Sequence, residues 1–296
     1  MQVMGVPTLE IFLSVCYNEG MEKFLTDMHT HSKPASFDAK DTLPDMLEEA
    51  QKRGTAFFGV SNHFDYDVDQ TKMSAEEYEK LKNGDEGEYF YSARHLQEDY
   101  EGVMNVAIGA EFGYSEEEKV QGRYASTYEK YRPDFVINSV HTQDGVDYYF
   151  RTFTEDRETV YREYLRVVRK SLDAPYPYDI VGHIGYIARY VPFEDRSFNL
   201  DEFGSEIDDI LKTIIAKDKI LEVNSATKTL PQLCIPDENI LQRYYDLGGR
   251  KVSFGSDAHF KCRILDKREE IVTALKRIGF THITVPFKGE HIKVEI

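Results

Sequence analysis

Short apolar, β-prone runs recur along this chain, and most of them stop on a residue that can bind a proton or a metal. They read FLTDMHTH (24–31), TAFFGVSNH (55–63), NVAIGAE (105–111), DFVINSVH (134–141), YDIVGH (178–183), ILEVNSA (220–226) and KVSFGSDAH (251–259), and THITVPF (281–287) comes last. Near-continuous apolar character fits parallel strands buried on both faces. Amphipathic segments lie between them. DTLPDMLEEAQKRG (41–54) has Pro44 in its opening turn, an apolar stripe of Leu43, Met46, Leu47 and Ala50, and Gly54 as a stop, the punctuation of a helix. Residues 155–172, 200–217, 237–248 and 266–279 repeat the pattern. Strand and helix alternating over short connections predict an α/β fold, and seven or eight parallel strands predict a closed barrel. At 296 residues the chain has the ordinary size of one such barrel. Residues 21–296 read as a single domain, with 1–20 as an N-terminal extension. The Tyr-, Asp- and Glu-rich stretch 65–102 reads as a loop-and-helix insertion near the site, either a solvated excursion or a substrate lid.

In an α/β barrel the C-terminal ends of the strands form one rim, and active sites are built there. The predicted strands bring to that rim His29 and His31, His63, Glu111, His141, His183, then Asp257 and His259. Six of the nine histidines fall at strand ends. Side chains two apart on a strand share a face, so the 29/31 and 257/259 pairs each aim two donors at one point. A carboxylate closing an apolar run, as Glu111 does, is costly to bury unless it is paired or bound to metal. The set reads as a metal centre of mixed nitrogen and oxygen donors, suited to zinc, manganese or iron. His95, His282 and His291 read as surface histidines.

Composition narrows the partners. There are 36 Lys+Arg against 53 Asp+Glu, a net charge of −17, and no basic run, which disfavours nucleic acid. No apolar run approaches the roughly 20 residues that span a bilayer, so no membrane association is expected. TLEIFLSVC (8–16) is short, carries Glu10 and has no basic segment before it, and is not read as a signal peptide. Cys16, Cys234 and Cys262 form no CxxC pair; a reducing, cytoplasmic setting fits them.

In order along the chain, DMHTHS, SNH, GAEFGY, SVH, GH and GSDAH resemble the motifs of the PHP (polymerase and histidinol phosphatase) family, and the likeness is strongest to its histidinol-phosphatase branch. It covers roughly residues 24–287. The resemblance implies a distorted (β/α)7 barrel, two or three divalent metal ions, and hydrolysis of a small phosphate ester, L-histidinol phosphate, in histidine biosynthesis. Carried over motif by motif, it implies that His29, His31, Glu111 and Asp257 bind one metal. Glu111 bridges to a second held by His141 and His183, and a third uses His63, His259 and Asp38, where many relatives have a histidine. Asn62 stands where an aspartate is common. GHIGYIARY matches the branch pattern GHxDxxxRY at Arg189 and departs from it at Gly185. Arg189 and Lys228 are the candidate phosphate-binding cations.

Clustered dications would lower the pKa of a bound water from about 15.7 towards about 7 and neutralise the phosphoryl charge. The resulting hydroxide attacks phosphorus, with Glu111, Asp257 and His259 as catalytic candidates and Asp257 or His259 assisting the leaving alkoxide. The rival readings are a PHP phosphoesterase for a nucleotide or sugar phosphate, a polymerase-associated exonuclease, which the acidic balance disfavours, and a non-catalytic metal-binding scaffold.

Overall fold

The computed structural model describes residues 24–82 and 84–296; the extension expected at 1–20 lies outside the described residues. In chain order the elements are β1 (Leu25–Asp27), α1 (Leu43–Lys52), β2 (Thr55–Val60), β3 (His63–Phe64), α2 (Ala75–Leu81), α3 (Glu86–Asp99), β4 (Asn105–Ile108), β5 (Ala110–Gly113), α4 (Glu118–Tyr131), β6 (Val136–Ser139), β7 (Thr142–Gln143) and β8 (Val146–Asp147). Then come α5 (Arg157–Ser171), β9 (Ile180–Val181), α6 (Leu200–Ala216), β10 (Ile220–Asn224), α7 (Glu238–Asp246), β11 (Val252–Gly255), α8 (Arg268–Ile278), β12 (His282–Phe287) and β13 (Glu290–Glu295). Among the described residues no helix is long and apolar enough to cross a membrane.

The parallel pairs run β1–β2–β4 and β3–β5–β6–β9–β10–β11. β2 with β3, and β4 with β5, are successive pieces of single strand positions. The two sheets are therefore one wall. The wall closes on itself by backbone bonds: Met28 N–H to the Phe254 carbonyl (2.9 Å), Asp257 N–H to the His29 carbonyl (2.8 Å) and His31 N–H to the Ala258 carbonyl (2.9 Å). This is the expected (β/α)7 barrel, distorted where β2/β3 and β4/β5 break.

The run 281–287 departs from expectation. It forms an antiparallel hairpin with β13, Phe287 opposite Glu290, and packs beside β11. Lys288 and Gly289 both take positive φ (50° and 81°), the two-residue turn that matches strand twist. The stretch 65–102 also divides. α3 is the barrel's own connecting helix: it buries Tyr89, Phe90 and Ala93, and Tyr89 Oη donates to the carbonyls of Val60 and Gly109. The part before it starts with the buried Asp65 and Asp67 and then runs out to α2, which has a capping box of Ser74 and Glu77 and buries nothing. Helix α4, absent from the sequence reading, has a weak apolar stripe and buries only Tyr124 and Thr127.

The predicted helices form where their caps and stripes place them. In α1, Thr42 accepts from Asp45 N–H while the Asp45 carboxylate returns a bond to the Thr42 N–H, and the stripe Leu43, Met46, Leu47 and Ala50 is buried. Caps of this kind contribute about 1 kcal/mol each, and the buried stripes contribute the rest by apolar burial against the strands.

Candidate metal centre

Each predicted donor leaves a strand at the same rim. His29 and His31 follow β1 and are buried. Glu111 lies in β5, fully buried. His141 follows β6, His183 follows β9, and Asp257 and His259 follow β11. Asp257 sits at φ 54°, left-handed backbone that a non-glycine residue adopts at a cost of about 1–3 kcal/mol and that clusters at functional sites. A Cβ at Gly255 would collide with the Glu222 carboxylate and with His29, so the glycine of GSDAH lets β11 approach β1 at the ligand level.

The donors fall into three adjoining groups. In the first, His29 Nε2 is 3.3 Å from Glu111 Oε2 and 3.9 Å from Asp257 Oδ1. His31 Nε2 stands 3.6 and 3.3 Å from the same two oxygens. In the second, the other Glu111 oxygen, Oε1, is 3.1 Å from His141 Nε2 and 2.9 Å from His183 Nε2, and the two imidazole nitrogens are 3.3 Å apart. In the third, His259 Nε2 is 2.8 Å from Asp38 Oδ2 and 3.4 Å from His63 Nε2. His63 Nδ1 lies 3.0 Å from Glu111 Oε2, which ties this group to the first. Two groups are deep; the third lies at the mouth, where the Asp38 side chain is 49% exposed.

These spacings suit ions. With metal–ligand bonds of about 2.0–2.2 Å, neighbouring donors around one ion stand roughly 3–3.5 Å apart. His29 Nε2, His31 Nε2, His63 Nδ1 and Glu111 Oε2 are buried atoms that make no hydrogen bond among the described residues. Buried polar atoms are almost always satisfied, and leaving one unpaired costs about 1–3 kcal/mol. Four such atoms turned on a common region form a donor set that would fit a cation.

The electrostatics agree. Burial alone would raise the Glu111 carboxyl, but the imidazoles of His29, His141 and His63 hold it well below the carboxylate range. Asp257 is likewise held down against its burial, by His29, His31 and Arg189. Burial lowers His31, reinforced by His63 and His259, whereas Glu222 and Glu111 drive His29 up against its burial. Neighbouring imidazoles are pushed in opposite directions. Dications remove that conflict, because the ligand form of every imidazole is neutral.

A second layer of carboxylates escaped the sequence reading. Glu222 on β10 lies 2.5 Å from His29 Nδ1 through one oxygen and accepts the His183 N–H at 2.6 Å through the other. Asp65 stands 2.9 Å from His141 Nδ1. Asp27 accepts the N–H groups of Ser256 and Leu265, both at 2.9 Å, and burial pushes its carboxyl up to about 6. Carboxylates behind ligating histidines fix the ring orientation and raise its basicity. The available signals were a charged residue inside the apolar run ILEVN and an aspartate two residues after His63. Asn62, at the position where an aspartate is common, accepts from Ser32 N–H (2.7 Å) and Ser36 Oγ (3.0 Å) and so steadies the loop that carries Asp38.

The two candidate cations separate. Arg189 is buried, with Nη2 3.2 Å from Asp257 Oδ2 and 3.1 Å from Asn224 Oδ1, at the edge of the first group. Lys228 is exposed and donates to Tyr190 Oη at 2.6 Å, lying over the Tyr190 and Tyr149 rings; among the described residues no contact joins it to the metal-type donors. Gly185 has φ 112°, and a Cβ there would face Phe198 and Ile235. His95 is exposed, and His282 and His291 lie on the terminal hairpin.

Comparison with known proteins agrees with this fold. A histidinol-phosphatase of Lactococcus lactis is 28% identical over 215 residues, covering 69% of this chain and 76% of the relative. A protein of Clostridium acetobutylicum named probable histidinol-phosphatase is 27% identical over 239 residues, covering 79% and 86%. The backbone superposes with a TM-score of 0.75 on a histidinol phosphate phosphatase of Lactococcus lactis crystallised with zinc, L-histidinol and phosphate, at 24% identity over 91% of this chain and 99% of that one. The PHP domain model matches residues 27–226, the span that runs from the first rim strand through β10, and the chain belongs to the PHP domain family.

Proposed function

We propose that this protein is a metal-dependent phosphomonoesterase that hydrolyses L-histidinol phosphate to L-histidinol and phosphate. The observation that carries the reading is Glu111: each of its two oxygens serves a different histidine group, the arrangement of a carboxylate shared between two ions. His29, His31, Glu111 and Asp257 hold one ion, Glu111, His141 and His183 a second, and Asp38, His63 and His259 a third at the mouth. Zinc suits the mixed donors and is the ion crystallised with the Lactococcus enzyme.

Bound divalent ions supply charge neutralisation for the phosphate and acidify water at neutral pH. The protein's own groups do the rest. The Arg189 guanidinium, pinned by Asp257 and Asn224, orients a phosphoryl oxygen by a charge-assisted hydrogen bond. Glu222 and Asp65 keep His29 and His141 turned on the centre. Asp257, its carboxylate held ionised, would take the proton that the attacking water loses and return it to the leaving alkoxide, with His259 Nδ1 3.6 Å from its oxygen.

Phosphate release from L-histidinol phosphate and from p-nitrophenyl phosphate, with bound metals counted by elemental analysis, tests the reading. It expects two or three metals per chain and a strong preference for histidinol phosphate. Metals with turnover of the generic ester alone would move the substrate elsewhere, and neither metal nor turnover would leave a scaffold protein.

A further inference from the structure

The cavity that leads from the metal centre towards solvent is lined by Asp38, His63, Asp65, His141, Asp147 and Tyr186. Three of these are carboxylates. Asp38 is committed to His259 at 2.8 Å, and Asp65 to the His141 ring at 2.9 Å. Asp147 differs. It lies on β8, in the hairpin that follows His141, and is only 4% exposed. Its side chain accepts one hydrogen bond, from Tyr149 N–H at 2.6 Å, and among the described residues no Lys, Arg or His forms an ion pair with it, the imidazoles of His141 and His63 acting on it only at longer range. The lysines that reach the same cavity from the excursion, Lys80 and Lys82, are paired instead with Glu76 (3.1 Å) and Glu79 (3.7 Å).

A buried carboxylate without a cation is held at a cost, and this one stands where substrate must enter. A phosphate ester of a vicinal amino alcohol carries both signs. Its phosphoryl group seeks the metals and Arg189, while its ammonium, three bonds from the ester oxygen, seeks an anion. We infer that Asp147 receives the substrate's ammonium and makes the site selective for amino-alcohol phosphates. The inference rests on the phosphomonoesterase reading above and adds to it the residue that discriminates. The carboxylate accepts N⁺–H bonds and moves no proton; an analogue lacking the amine leaves Asp147 buried and unpaired, which is what makes discrimination steep.

The experiment measures kcat/KM of the metal-loaded full chain for L-histidinol phosphate and for its des-amino analogue, 3-(imidazol-4-yl)propyl phosphate. Wild type is expected to prefer the amine-bearing ester. Asp147→Asn, isosteric and uncharged, should shrink that preference about 100-fold, chiefly through KM, and should weaken the binding of L-histidinol itself in a calorimetric titration. Asp147→Ser serves if Asp147→Asn melts early. A preference unchanged by the substitution, or no preference in wild type, overturns the assignment of Asp147. If neither ester is hydrolysed, the phosphatase reading has failed instead, and the titration still decides: histidinol binding equal in wild type and variant overturns the ammonium site, and binding lost in the variant supports it.

Discussion

Two regions of this molecule crowd opposite charges together, with opposite consequences. On the outer face of α5, Arg166 reaches Glu116 at 2.6 Å and Arg169 reaches Asp209 at 2.8 Å, with these side chains 35–63% exposed. At the rim of the barrel the donors stand farther apart, 3.3–3.9 Å, yet the side chains of His29, His31, Glu111 and Asp257 are 0–8% exposed. Outside, water and salt screen each pair, which is worth about 0–1 kcal/mol. Inside, burial magnifies every interaction and part of the donor set has no hydrogen-bond partner. Short distances between charges therefore say little by themselves. Burial and unpartnered donor atoms separate a solvated surface pair from the candidate metal centre.

The contrast can be tested from its strongest claim downwards. Glu111→Gln removes the whole of a shared negative charge and one of its two donor oxygens, and turnover should fall about 10³-fold while the thermal melt by circular dichroism stays cooperative; wild-type turnover would erase the distinction between the regions. Stripping metals with a chelator should lower the melting temperature, and restoring them should recover it. Ions held at about 1,000 times their Kd contribute about 4 kcal/mol, and an unchanged melt would mean that the rim needs no cation to be stable. Glu222→Gln leaves all the proposed ligands in place but loosens two of them, so metal affinity measured by chelator competition should drop about 10- to 100-fold. The outer face should give the smallest effect. Glu116→Gln is expected to cost less than ~1 kcal/mol in urea melts, and less still at high salt. Hydrogen bonding from Arg166 holds the Glu116 carboxyl down to about 2, from 4.5. Its contribution is therefore present at neutral pH, begins to fade below about 4.5 and is gone near 2, so the gap between variant and wild type should narrow in melts at pH 3.

Much of the rim could be read from the chain because strands write their ends plainly. An apolar run that stops on histidine, glutamate or aspartate names both the element and its donor, and every such donor proposed from the sequence comes to one rim. Glu222 could not be read that way. Its partner His29 lies 193 positions away, and inside ILEVN it looks like any strand residue until β10 is seated two strands from β1. Lys228 is a different case. The family resemblance offers it as a phosphate-binding cation, and in the structure it has a φ of 52° and donates to the Tyr190 hydroxyl, on an aromatic surface. The terminal run looked like one more parallel strand because β-propensity is blind to strand direction; Lys288 and Gly289 reverse the chain. Helix α4 was missed because Gly122 and a mostly polar stripe hide it, although Tyr124 anchors it firmly in the core.

The backbone seam between β1 and β11 has a consequence in time. His29 and His31 emerge from the ribosome early, but their partner Asp257, and the Asp257 N–H that bonds the His29 carbonyl, are made only after β2 to β10. A nascent chain cannot offer the proposed first ion its full set of donors until β11 has been made. Capture of that ion is thereby deferred to a closed barrel.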